Sequence, residues 1–168
     1  MRFFNHPILP LVLLFFVGEL PRSNAEEITT ATKIGKRIEM VRFHSTVLDM
    51  SKQYAVVLPA NYKTTPARNT TWPVMFLFHG RGRTERTLID DPASHVALLQ
   101  AKFVIILFDG DDGWYIDSPL QSNQRYESYT TEVINHATEQ YWLSTHRSQR
   151  GLSGWSMGGY GATLFAAK

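Results

Sequence analysis

The amino-acid sequence predicts an α/β fold, in which a mostly parallel sheet is covered by helices on both faces. Residues 73–78 and 103–108 are apolar without interruption, as expected of strands that are buried on both faces. Residues 125–142 place apolar or aromatic side chains at every third or fourth position, which is the spacing of an amphipathic helix. Buried strands that alternate with helices along a chain favour a parallel sheet.

The other elements are predicted from the same kinds of pattern. Residues 37–49 and 53–59 indicate an antiparallel pair of strands, because a short turn separates two runs of strand-forming residues. Residues 61–71 are polar, contain a proline and predict a surface loop. The last three predicted elements are a helix at 88–102, a strand at 148–155 and a helix at 157–167. The predicted order is therefore β-β-β-α-β-α-β-α.

Composition indicates a globular protein and excludes several kinds of site. The chain has 168 residues, of which 43% are apolar and 19% charged. Its net charge of +2 is small and its basic residues are scattered, so we expect no nucleic-acid partner. The lack of cysteine excludes disulfides, thiolate metal sites and a cysteine nucleophile. Asp109, Asp111 and Asp112 do not complete a calcium loop, because Gly113 stands where that pattern needs Asp or Asn. We expect no metal and no cofactor.

Residues 1–25 have the layout of a secretory signal peptide. A basic start is followed by an apolar run at 7–18, and the segment ends in Ser23-Asn24-Ala25, with small residues at positions −3 and −1 of a cleavage site. About a dozen apolar residues are too few to cross a bilayer. We therefore expect a secreted or periplasmic protein whose domain occupies 26–168 and which keeps no stable membrane span after cleavage.

The candidate catalytic residue is Ser156. Residues 154–158 read Gly-Trp-Ser-Met-Gly, the G-x-S-x-G pattern of a nucleophile elbow, in which a serine lies on a sharp turn between a strand and a helix. The loops at 80–83 and 110–123 also follow predicted strands, and both contain glycine. Ligand sites in such sheets form outside the carboxyl ends of the strands. The three segments are therefore expected to meet around Ser156.

Three motifs in this order resemble those of the esterase D family of α/β-hydrolases. They are Asp109-Gly110-x-x-Gly113-Trp114-Tyr115-x-Asp117-Ser118, Tyr126-Glu127-x-Tyr129 and Gly154-x-Ser156-Met157-Gly158-Gly159-Tyr160-Gly161-Ala162. The family includes S-formylglutathione hydrolases, feruloyl and acetyl-xylan esterases and the antigen 85 mycolyltransferases. The similarity extends from about Val74 to the last residue. It implies the α/β-hydrolase fold, a serine carboxylic-ester hydrolase and a small-molecule or carbohydrate-linked ester substrate.

The resemblance also implies roles for individual residues. Ser156 matches the nucleophile that forms the acyl-enzyme, and the backbone N–H groups of Met157 and Arg81 match the oxyanion hole. Trp114 and Tyr115 match aromatic residues near the acyl or leaving-group pocket, although packing of their loop against the sheet is an equal alternative. His79 follows a strand and is expected to shape the oxyanion loop, with a direct catalytic role or contact with substrate as the alternatives.

The acid and the histidine of a triad should follow the serine in this fold. Neither residue type occurs between Ser156 and Lys168. The resemblance therefore implies that 26–168 is the N-terminal part of a hydrolase domain, with little or no turnover by itself. Two other functions remain open at this point: an acyltransferase of the antigen 85 type, and a non-catalytic binding module on the same fold.

Overall fold

A computed structural model describes residues 29–63 and 70–168. The predicted signal peptide at 1–25 lies outside the described residues, as does most of the predicted loop at 61–71. Among the described residues, no helix combines the length and apolar character that a membrane crossing requires.

The described residues form one sheet of six strands, in the order β1-β2-β3-β5-β4-β6. Strands β1, β2, β3 and β5 pair antiparallel in that order, whereas β4 lies parallel to both β5 and β6. The strands are β1 (Thr30–Lys33), β2 (Ile38–Ser45), β3 (Met50–Val57), β4 (Val74–Phe78), β5 (Val104–Leu107) and β6 (Arg150–Gly154). The predicted antiparallel pair and the three parallel strands after it are therefore confirmed.

Strand β1 was not predicted. Its sequence, Thr-Ala-Thr-Lys, has no apolar alternation, and all four residues are exposed. It is a strand because its backbone pairs with β2 along the edge of the sheet, from Thr30 opposite Arg42 to Lys33 opposite Glu39. Edge strands bury few side chains, so hydrophobic periodicity does not reveal them.

Four α-helices accompany the sheet. They are α1 (Thr87–Asp90), α2 (Pro92–Leu99), α3 (Tyr126–Gln140) and α4 (Met157–Ala166). The prediction of one continuous helix at 88–102 is wrong, because the chain is extended at Asp91, with φ −81° and ψ 118°. The proline at 92 disfavours a helical conformation for the residue before it. Asp91 instead caps α2, and its Oδ2 accepts a hydrogen bond of 2.8 Å from the Ser94 N–H.

Helices cover both faces of the sheet, as the apolar strands predicted. Phe76 and Phe78 of β4 belong to one buried cluster, which also contains residues of α3 and α4. Met75 and Leu77 point the other way and pack against the cluster that includes residues of α1 and α2. Burial of each large apolar side chain contributes about 1.5–3 kcal/mol, so these two clusters hold the layers together.

The register of the parallel strands brings the predicted site together. Leu77 lies opposite Leu107, and Phe78 lies opposite Gly154. Strands β4, β5 and β6 therefore end at the same edge of the sheet, and the loops that follow them are neighbours.

Candidate active site

Ser156 stands at the turn between β6 and α4 in a strained backbone conformation. Its φ is 53° and its ψ is −125°. Positive φ is rare for a residue with a side chain, and such strain costs about 1–3 kcal/mol. The turn is closed by a hydrogen bond of 2.9 Å from the Gly158 N–H to the Trp155 carbonyl oxygen. The side chain of Ser156 is exposed and makes no capping hydrogen bond to α4.

The glycines of the pattern allow strand and helix to approach closely. A Cβ added at Gly154 would lie 2.3 Å from the carbonyl oxygen of Gly158 and 2.8 Å from that of Phe78. Both neighbours are backbone atoms, which cannot move without displacing β4 or α4. The glycine at 154 is therefore required by the packing of β6 against β4 and α4, independently of any role in catalysis.

The loop after β4, residues 79–83, lies directly against this turn. Its chain reverses through a hydrogen bond of 3.2 Å from the Arg83 N–H to the Gly80 carbonyl oxygen, with Gly82 at φ 68°. A Cβ on Gly80 would lie 2.9 Å from Nε1 of Trp155, so the indole rests on the glycine. The structure thus brings together the segments that contain Arg81 and Ser156, as expected.

The two predicted oxyanion donors are available as donors. Met157 is the first residue of α4, where a backbone N–H has no acceptor within the helix. Among residues 29–63 and 70–168, neither the Met157 N–H nor the Arg81 N–H donates to a backbone or side-chain acceptor. The Arg81 side chain forms an exposed ion pair, with Nε 3.5 Å from Oδ2 of Asp112.

His79 is buried, with 2% of its surface exposed, and both ring nitrogens are occupied. Its Nε2 accepts a hydrogen bond of 2.9 Å from the Gly110 N–H. Its Nδ1, 2.8 Å from the Gly80 carbonyl oxygen, must therefore carry the proton and donate. These contacts join the loops after β4 and β5, which supports the loop-shaping interpretation over contact with substrate.

The adjacent aromatic residues Trp114 and Tyr115 occupy different environments. Tyr115 is fully buried, packs edge-to-face on Phe78, and donates a hydrogen bond of 3.2 Å to the His79 carbonyl oxygen. Burial raises the pKa of its hydroxyl well above the ordinary value. Trp114 is 45% exposed and packs edge-to-face with Tyr160, which is 48% exposed. Burial favours the packing alternative for Tyr115, whereas Trp114 is accessible to a ligand.

One buried charge near this edge was missed by the sequence analysis. Lys52 of β3 has 4% of its side chain exposed and pairs with Asp109 and Asp111 in the loop after β5. A signal was present, because Lys52 shares its strand face with the core residues Tyr54 and Val56. The sequence analysis placed Lys52 in the turn before the predicted strand at 53–59, whereas β3 begins at Met50.

No histidine among the described residues is hydrogen-bonded to Ser156. Nε2 of His44 lies 3.3 Å from Oδ1 of Asp49, and Nδ1 of His95 lies 2.9 Å from the Ile89 carbonyl oxygen. His136 of α3 contacts Thr29 and Tyr54. These contacts give the three side chains structural or surface roles.

A cavity of about 480 Å³ lies near the amino end of β6, away from the serine turn. Its lining includes Arg150 and Leu152 of β6, together with Phe165 of α4. Ser156 follows the opposite end of the strand, so this cavity is not part of the candidate site.

Comparison with known proteins identifies relatives of this chain. A family model described as "Putative esterase" matches residues 45–168. Esterase MT1326 of Mycobacterium tuberculosis is 27% identical over 163 residues, which cover 94% of this chain and 35% of that protein. The chain therefore spans about a third of the length of the curated relatives that it matches.

Solved structures with the same fold include two hydrolases. FphF, a fluorophosphonate-binding serine hydrolase of Staphylococcus aureus, is 25% identical with a TM-score of 0.66, over 77% of this chain and 51% of that one. An S-formylglutathione hydrolase from Agrobacterium tumefaciens is 21% identical with a TM-score of 0.61, over 82% of this chain and 55% of that one. The fold is therefore that of the α/β-hydrolases.

Proposed function

The chain belongs to the esterase family of α/β-hydrolases, and from this premise we propose that Ser156 is the nucleophile of a carboxylic-ester hydrolase. The observation that carries the proposal is the backbone of Ser156, held at φ 53° and ψ −125° between β6 and α4 with an exposed side chain. Strain of this kind is retained where surrounding structure enforces it, most often at functional sites.

In the proposed reaction, Oγ of Ser156 attacks the carbonyl carbon of the ester. The hydroxyl proton passes to a base, the carbonyl oxygen becomes an oxyanion, and the alcohol then leaves with a proton as the acyl-enzyme forms. Water attacks the acyl-enzyme in the second half-reaction and releases the carboxylic acid and free Ser156.

The Met157 and Arg81 N–H groups are the proposed donors to the oxyanion. Met157 begins α4, so its N–H also lies at the positive end of the helix dipole. Arg81 belongs to the loop that Trp155 contacts through Gly80. Each oxyanion-hole donor typically contributes about 3–4 kcal/mol to stabilisation of the transition state.

A serine hydroxyl needs a general base to react rapidly. Because no described histidine is hydrogen-bonded to Ser156, we propose that the base and its acid partner come from outside the described residues. The chain by itself should then form an acyl-enzyme slowly and release it more slowly still. Oxyanion donors and binding alone retain a rate on the order of 10³-fold above that in water when a triad member is removed.

The exposed aromatic pair of Trp114 and Tyr160 supports an ester with a flat apolar face, on either the acyl or the alcohol side. Aromatic rings and sugar rings both pack on such surfaces. A ferulic acid esterase among the similar structures is 25% identical with a TM-score of 0.62. A small-molecule or carbohydrate-linked ester is therefore the proposed substrate class, and secretion or periplasmic export stays a prediction.

Acyl transfer to an alcohol would use the same acyl-enzyme at Ser156, so it remains the alternative within this mechanism. A non-catalytic binding module is less well supported, because Ser156 retains its strained conformation between intact glycines.

The test uses the full chain of 168 residues and p-nitrophenyl acetate. We expect stoichiometric release of p-nitrophenol with little further turnover, and mass spectrometry should find the acetyl group on Ser156. The chain offers a matched control in Ser153, which is exposed three residues earlier. Ser156→Ala should abolish acetylation, and Ser153→Ala should leave it unchanged.

Acetylation that persists in Ser156→Ala, or that spreads over several hydroxyls, would contradict the nucleophile assignment. Sustained turnover that depends on Ser156 would support the nucleophile but contradict the expected slow release of the acyl group by this chain.

A further inference from the structure

Lys52 is a buried cation that joins the centre of the sheet to the loop after β5. Its Nζ lies 2.7 Å from Oδ2 of Asp109 and 2.9 Å from Oδ2 of Asp111, while the Tyr129 ring centroid is 5.6 Å away. An ammonium group has three donors and no acceptor, and here two donors meet carboxylates and the third side faces an aromatic ring. A buried lysine is rare unless it is paired in this way.

The two carboxylates that Lys52 binds flank Gly110. Asp111 has a positive φ of 43°, and its Oδ2 also accepts a hydrogen bond of 2.6 Å from the Tyr126 hydroxyl. Without a cation between them, Asp109 and Asp111 would repel each other at a partly buried position. Lys52 therefore stabilises the conformation of this short segment as well as its position.

The same segment holds the loop that contains Arg81. The Gly110 N–H donates to Nε2 of His79 at 2.9 Å, and the Gly82 N–H donates to Oδ1 of Asp112 at 2.7 Å. These bonds lie on either side of Arg81 in the sequence. A shift of residues 109–112 would therefore be transmitted to both ends of the loop at 79–82.

We propose that Lys52 is a positioning residue for the oxyanion loop at 79–82. By fixing Asp109 and Asp111, it holds the Gly110 N–H in its hydrogen bond to His79, and the Asp112 carboxylate in its hydrogen bond from Gly82. These two bonds orient the Arg81 N–H toward the serine turn. The part that concerns the oxyanion rests on the function proposed above. The part that concerns loop geometry can be measured without any reaction.

The experiment is amide hydrogen exchange followed by NMR in the full chain carrying Lys52→Met. The thioether chain keeps most of the lysine volume and removes its charge. Loss of two charge-assisted hydrogen bonds should accelerate exchange at the Gly110 and Gly82 amides by at least about tenfold. Core amides such as those of Val56 and Ile106 should change much less.

Two further variants serve as controls. Lys33→Met removes a strand lysine that is exposed in β1, and it should leave both glycine amides unchanged. Lys52→Arg keeps a cation with several donors and should restore part of the protection at Gly110 and Gly82.

Unchanged exchange at both glycines in Lys52→Met would overturn the proposal, as would an equal rise at every amide of a folded protein, since that is a general loss of stability. If Lys52→Met does not fold, Asp111→Asn supplies the same test, because Asp111 is half exposed and the Lys52–Asp109 pair remains. Asp111→Asn must then accelerate exchange at Gly110 and Gly82, and no effect there would equally overturn the proposal.

The acetylation rate of Ser156 separates this proposal from the function that it rests on. Faster exchange together with slower acetylation in Lys52→Met supports both. Faster exchange with unchanged acetylation supports the positioning of the loop and contradicts the assignment of Arg81 to the oxyanion hole.

Discussion

The Phe78 carbonyl oxygen and Gly158 are so close that a Cβ on Gly158 would lie 2.0 Å from that oxygen. The last residue of β4 thus contacts the first turn of α4 without any side chain between them. Only glycine fits at this contact, because the neighbouring atom belongs to the backbone of a central strand.

We therefore expect Gly158→Ala to destabilise the fold. Relief of the clash requires β4 and α4 to separate, and overpacking of this kind typically costs about 1–3 kcal/mol. The free energy of unfolding in urea measures it. Gly159→Ala is the matched control, since its Cβ would lie 3.5 Å from the nearest atom, an ordinary contact. Alanine is also the better helix former. Equal losses in the two variants would contradict the packing explanation.

The strain at Ser156 predicts that glycine at this position gives a more stable protein than alanine. With φ at 53°, alanine keeps the cost of the left-handed conformation, and glycine removes most of it. Ser156→Gly should exceed Ser156→Ala in stability by about 1 kcal/mol, after the larger entropy of glycine in the unfolded chain is included. Thermal unfolding of the two variants measures this difference in stability. A Ser156→Ala protein that is more stable than Ser156→Gly would show that the turn is not strained.

Glu85 is buried, with 2% of its surface exposed, and its Oε1 accepts a hydrogen bond of 2.7 Å from Gln53. Burial, followed by the charge of Asp109, raises the pKa of this carboxyl. The folded state then holds the proton more tightly than the unfolded chain, so ionisation of Glu85 lowers stability as pH rises through the folded pKa.

Glu85→Gln should accordingly stabilise the protein at pH 7, because the amide oxygen can still accept from Gln53. The gain should disappear below about pH 4, where the carboxyl is protonated in both states. Urea unfolding across this range measures it, with the exposed Glu139→Gln as control. A gain that does not depend on pH would refute the electrostatic cause.

Asp117 caps α3 from a distance in the sequence. Its two carboxylate oxygens accept hydrogen bonds from the Ser128 N–H at 2.9 Å and the Ser128 hydroxyl at 2.5 Å, whereas the N-cap residue Arg125 makes no side-chain capping bond. Partial burial opposes ionisation of Asp117, but the Ser128 bonds and the Arg125 charge outweigh it and lower its pKa.

A lowered pKa means that this carboxylate stabilises the fold above the unfolded pKa of about 3.9, and that the contribution is lost as pH falls through the folded pKa. Asp117→Asn should cost up to about 1 kcal/mol at pH 7, because the amide keeps one accepting oxygen but loses the negative charge near the helix N-terminus. The cost should become progressively smaller in acid. Denaturation at several pH values checks this, with the exposed Glu139→Gln as control. A constant difference at all pH values would mean that ionisation of Asp117 plays no part.

The sequence determined the elements whose signals are local. The uninterrupted apolar residues of β4 and β5, the helical spacing of α3 and the glycines around Ser156 each occupy a short window, so each was predicted within a few residues of its observed bounds. The break between α1 and α2 at Asp91 also has a local signal, because a proline at 92 disfavours a helical conformation at 91. The prediction of a continuous helix gave that proline too little weight.

Tertiary structure alone decided how those elements are joined at the candidate site. Lys52 meets Asp109 across 57 positions, and Gly110 meets His79 across 31. Contacts between residues so far apart do not appear in the hydrophobic periodicity of the sequence, because that periodicity reflects only the neighbours of each residue along the chain. The sequence likewise does not show which of the adjacent aromatic residues is buried: Tyr115 is fully buried, whereas Trp114 is exposed. The strand–turn–helix around Ser156 could be read from five residues, but the loop beside it depends on hydrogen bonds and charges that form only when three strands end at one edge.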